Sequence, residues 1–174
     1  VLTGGALSLT AGFGVATTSG KLTITTANAG AAGVSGVLDL HTGIATDGTS
    51  GLIKLTTGIA TSGAGGEIAL SVGDGDTGRG GQVAITAGKT TAAATGGLVS
   101  VTAGEGVNRG GEVLLTAGVA TTHTGGGLTM MTGQGTSTSS GAVSIKSANA
   151  GASGVSGVLV FSSGTTSSGT SGSI

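Results

Sequence analysis

The chain has 174 residues, of which 40 are glycine and none is proline, cysteine, tryptophan or tyrosine, and its net charge is −1. Without thiols it has neither a disulfide framework nor a thiolate metal site, and with 7% charged and 1% aromatic residues it lacks a nucleic-acid binder's basic patch and stacking surface. No apolar run approaches the ~18–20 residues of a membrane-spanning helix, and no charged-then-apolar signal segment opens the sequence.

Glycine at this level suits a flexible linker, but the hydrophobic fraction is 37% and the aliphatics come in short alternating runs. Taken in chain order, repeats begin at Gly5, Gly20, Gly36, Gly51, Gly66, Gly81, Gly97, Gly111, Gly126, Gly141 and Gly157, with a partial one from Gly172. Their lengths run from 14 to 16 residues. With the first glycine as position zero, position two is Leu7, Leu22, Leu38, Ile53, Ile68, Val83, Val99, Val113, Leu128, Val143 and Leu159. Position four is equally apolar, from Leu9 and Ile24 through Met130 and Ile145 to Phe161. Two residues is the strand period, so both columns share one face.

Position seven is glycine except at Ala27 and Ala148, each of which opens an Ala-Asn-Ala-Gly phrase. Glycine at both ends of a short strand predicts corners that need positive φ or close backbone approach. Position nine is always small, as at Gly14, Ala45, Thr90, Gly106 and Gly135; this predicts an inward column opposite the large pair.

A period near 15 residues, one strand per repeat and glycine corners predict an all-β chain. The expected fold is a β-solenoid (β-helix) of about eleven repeats with a thin aliphatic core, stacked at ~4.8 Å per turn. Two repeats per turn would satisfy the same periodicity. The missing prolines fit, because each turn must donate its amides to a neighbour.

A longer repeat overlies the short one. Gly20–Gly36 and Gly141–Gly157 are identical at eleven of seventeen positions, an offset of 121 residues. The chain starts and stops inside a repeat, with no methionine at its start and no polar cap at either end. The expectation is a segment of a longer repetitive protein, or a subunit that stacks end to end.

Candidate chemistry is sparse. Gly73–Gly78 has GxGxxG spacing, but Gly80–Ile85 then opens another strand pattern where a dinucleotide site needs a helix. Gly88-Lys89-Thr90 resembles the end of a P-loop, with Val83 where the first glycine should be. Asp74 and Asp76 resemble the acidic turns of calcium-binding β-rolls and are the candidate metal ligands, although no tandem copy flanks them and Arg79 adds positive charge. His41 and His123 occupy different columns and read as surface polar residues. No repeat carries an insertion long enough to wall a catalytic site, so the expectation is no enzyme and no cofactor.

Position five carries Thr10, Thr25, Thr56, Thr86, Thr102 and Thr116. An outward threonine ladder of that kind resembles the face of solenoid ice-binding proteins. Their second threonine column is missing here, because position three pairs with it only at Thr23 and Thr25. Threonine also suits any strand face, and exposed Ser and Thr are acceptors for O-glycans.

The phrase Ser-Gly-x-Φ-x-Φ-x-Thr-Gly-x-Ala-Thr at Ser50–Thr61 resembles the long Gly/Ser/Thr repeats of large secreted fibre and surface-appendage proteins of algae and other heterokonts. The resemblance runs over nearly the whole chain and brings no catalytic residues. It implies an extracellular or cell-surface structural protein that self-associates end to end into filaments. The competing expectation is a binding module that offers ice or polysaccharide a flat threonine face.

Overall fold

A computed structural model describes residues 4–174. Contacts divide the chain into two units, Val1–Ile85 and Thr86–Ile174. Both are built from the same repeat.

The period read from the sequence is present in the backbone, but the strand stacking is not. Each of the eleven repeats makes one change of direction, at positions ten to thirteen, with a straighter segment before it. In the first unit the turns and bends fall at 15–17, 31–32, 46–48, 61–63 and 76–79. In the second they fall at 92–94, 107–108, 121–123, 136–138, 152–153 and 167–169.

Among the described residues there is no helix and no β-strand, which overturns the expected all-β solenoid. A solenoid turn must pair its amides with the next turn about fifteen residues away. Instead, the backbone–backbone hydrogen bonds among the described residues number eight and all span nine residues or fewer. A folded chain of this length makes on the order of 170 internal hydrogen bonds, mostly between backbone groups. Among the described residues the other amides have no backbone partner.

The thin aliphatic core is likewise absent, because no described hydrophobic residue is buried. The accessible surface is 17307 Å² for 15.8 kDa. Even two separate compact domains of half that mass would together expose only about 8,800 Å².

The apolar columns still leave a trace. Position two is about half covered, from 49% exposed at Leu159 to 63% at Leu128, with Leu7 at 87%. Ile44 and Ile59, at position eight, are 99% exposed. The period-two pattern therefore marks a local face that no second layer covers.

Of the two reasons expected for the glycines, close backbone approach holds at position zero and positive φ does not. Among the described residues positive φ occurs only at Gly48, Gly78 and Gly169, all at position twelve, inside the bend. Glycines at positions zero and seven form the base of a loop, with the bend at its tip.

Candidate functional site

The recurrent local structure is a loop that leaves position seven, reverses at positions ten to thirteen and returns to position zero of the next repeat. In five loops the returning glycine amide donates to the departing glycine carbonyl. The pairs are Gly20 to Gly12 at 2.8 Å, Gly97 to Gly88, Gly111 to Gly104 and Gly126 to Gly118 at 2.9 Å each, and Gly141 to Gly133 at 3.0 Å.

The returning glycine is required by space. A Cβ built at Gly97 would lie 3.0 Å from the Gly88 nitrogen and 3.2 Å from the Ala87 Cβ. At Gly51 it would lie 3.2 Å from the Thr42 methyl group. From Gly20 to Gly172 the position-zero glycine meets position six or seven of the preceding repeat every time, whereas Gly88, Gly104, Gly118 and Gly133 at position seven have open space. One column is glycine because another chain segment passes close to it; the other carries no such steric demand.

Position six decides whether the loop closes. All four repeats with alanine there (Ala11, Ala87, Ala103 and Ala117) have the glycine–glycine hydrogen bond. Thr26, Thr42, Thr57, Val72, Ser147 and Ser163 precede returns without it. Thr132 is the one larger residue with a closed loop, and its bond is the longest of the five. Among repeats with glycine at position seven, the loop closes behind all four alanines and stays open behind Thr42, Thr57, Val72 and Ser163, with Thr132 the exception.

Position nine is small for a reason other than an inward column. A Cβ at Gly14 would come within 2.6 Å of the Thr18 carbonyl oxygen, and one at Gly135 within 2.6 Å of the Thr138 oxygen. At Gly106 it would collide with the Arg109 oxygen. In these three repeats the departing leg passes the carbonyls of the returning leg too closely for a side chain, whereas Gly75 has open space and the other seven repeats carry Ala or Thr at this position.

The two Ala-Asn-Ala-Gly repeats close differently. Gly33 donates to Gly30 at 3.1 Å and Gly154 to Gly151 at 3.2 Å, a tight turn with no bond across the base. The long sequence repeat is thus also a repeat of geometry.

The candidate chemical residues are not gathered into a site. Asp74 stands at position eight and Asp76 in the bend at 76–79, where the Thr77 hydroxyl donates to it at 3.4 Å. Among the described residues no three His, Cys, Asp or Glu side chains converge on a metal position. His41 Nδ1 lies 3.3 Å from the Thr42 carbonyl and His123 Nδ1 2.8 Å from the Thr122 hydroxyl, each a contact with its sequence neighbour. Thr10, Thr25, Thr56, Thr86, Thr102 and Thr116 are all exposed, at one register position in separate repeats. The described residues enclose no pocket, and no helix among them is long and apolar enough to cross a membrane.

Sequence reasoning missed the part played by position six. The signal was available as an alternation of Ala with Thr, Ser and Val in front of the position-seven column. No family model, curated protein or solved structure matches the chain.

Proposed function

We propose that this chain is a structural protein: a repetitive segment of an extracellular fibril or surface appendage, extending end to end or within a longer chain. The observation that carries this reading is the recurrence of one change of direction, at one register, in all eleven repeats, with the position-zero glycine of each following repeat close against position six or seven. Repetition of that kind serves length and regular spacing. A catalytic or recognition site instead needs unlike groups brought together from distant parts of a chain.

Low charge and a hydroxyl-rich exterior favour a hydrated surface that accepts O-glycans. Electron microscopy of the purified chain and immunolabelling of intact source cells test the proposal together. Filaments in the first and surface labelling in the second are expected. Isolated particles combined with thermal hysteresis from the soluble monomer would replace it with the ice-binding alternative.

A further inference from the structure

The segments between the loops are the largest unused feature of the molecule. Positions one to six carry no bend or turn in any repeat, and none pairs its backbone with another segment among the described residues. Each presents the Φ-x-Φ pair on one face. Such a segment, free of proline and low in charge, is a template for strand pairing with another chain. The tethered copies of it act multivalently, so a partner that engages one is held near the rest.

Resting on the fibre reading above, we infer that these segments are the lateral interface between copies of this chain, paired parallel and in register. The occupant is a second copy because the interface must match a period of 14–16 residues over eleven repeats. Register follows from the loops. The five closed ones span seven to nine residues, and the two tight-turn repeats begin at Gly20 and Gly141. Over the whole chain only the unshifted parallel alignment lays each loop on one of equal length and each tight turn on its twin; a shift of 121 residues does so for three repeats alone. A displacement by one residue would also turn every Φ-x-Φ pair to the opposite face.

The surface for it is present. The chain exposes about 8,500 Å² more than two compact half-size domains would, against the 1,200–2,000 Å² of a standard stable interface, on the order of four times as much. Charge confines the favourable pairing to part of the chain, because six segments carry one charged residue each (Lys21, Asp39, Lys54, Glu67, Glu112 and Lys146). Parallel pairing sets each residue on its own twin, which is costly for ions. The segments that follow Gly5, Gly81, Gly97, Gly126 and Gly157 contain no charged residue.

The absence of native cysteine allows a single-label test on the full chain. A nitroxide on Ser100→Cys sits at position three of a charge-free segment, and one on Ser137→Cys sits in the bend at 136–138. In-register pairing repeats the Ser100 label every ~4.8 Å along the assembly. Filaments should then give a single exchange-narrowed line at Ser100 that regains its hyperfine splitting when diluted tenfold with unlabelled chain. The Ser137 label, stacked by the same register but outside the paired segment, should be broadened by its twins yet less fully narrowed than Ser100, and should sharpen on the same dilution. Filaments whose Ser100 label keeps full splitting would overturn this pairing and leave the fibre proposal standing. A chain that forms no filaments at all would overturn both.

Discussion

Replacing Thr57 by alanine should close a loop that is open in the native chain. The Cβ position of Gly66 lies 3.3 Å from both Cβ and Cγ2 of Thr57, and Gly66 makes no backbone bond to Gly58. In the repeat starting at Gly111, position six is Ala117, the corresponding approach to its Cβ is 3.5 Å, and the Gly126 amide reaches the Gly118 oxygen at 2.9 Å. Removing the threonine methyl and hydroxyl lets Gly66 settle the same way. An exposed backbone hydrogen bond is worth about 0.5–1.5 kcal/mol, so amide exchange at Gly66 should slow about 2- to 13-fold. A trans-hydrogen-bond coupling between the Gly66 nitrogen and the Gly58 carbonyl carbon should appear in the NMR spectrum. The reciprocal change, Ala117→Thr, should speed exchange at Gly126 by a similar factor. Unchanged exchange at both reporters would refute the control assigned to position six.

Three further outcomes follow from the same geometry. Gly135→Ala must displace the returning leg, because its Cβ would lie within 2.6 Å of the Thr138 oxygen; exchange at the unaltered Gly141 amide should accelerate about 2- to 13-fold. Its companion Gly133→Ala enters open space and should slow the same amide about 2- to 5-fold by stiffening the open chain, so equal effects from the two would contradict the steric reading. Gly81→Ala collides with the Val72 Cγ1, whereas the Val72 Cβ stands 3.7 Å away. The double variant with Val72→Ala should therefore recover native chemical shifts around Gly81, with a coupling of about 0.5–1.5 kcal/mol set by the valine rotamer; simple additivity would count against the contact. Asp74 and Asp76 supply two carboxylates where calcium takes ~6–8 oxygens, so calorimetry should show no binding tighter than about 1 mM, and a submillimolar site would restore the acidic-turn reading.

The repeat and its register were legible in the sequence because they are local properties. Glycine at zero answers to atoms of the preceding repeat, and glycine at nine in three repeats answers to its own returning leg. What covers the Φ-x-Φ face was not legible. A period of two says that Val113 and Leu115 point the same way, and says nothing about whether the next repeat, another molecule or water lies over them. The solenoid expectation supplied that missing partner from within the chain. The corners were misplaced for a related reason: a glycine kept for close approach looks the same in sequence as one kept for positive φ. The actual bends contain residues as different as Val107-Asn108 and Thr121-Thr122-His123, which form no column.

The loop lengths have a consequence for how such a protein changes over generations. The shortest closed loop runs from Gly104 to Gly111 and the longest from Gly88 to Gly97, yet both end on the same 2.9 Å bond. The two additional residues of the longer one are taken up locally, where Ala94 donates to the Ala92 carbonyl and Ala92 to the Thr90 hydroxyl. An added or deleted codon in this stretch is absorbed before the next segment begins, so the aliphatic positions downstream keep their orientation. The pattern counts loops, and replication errors that add or remove single residues within a loop leave the count unchanged.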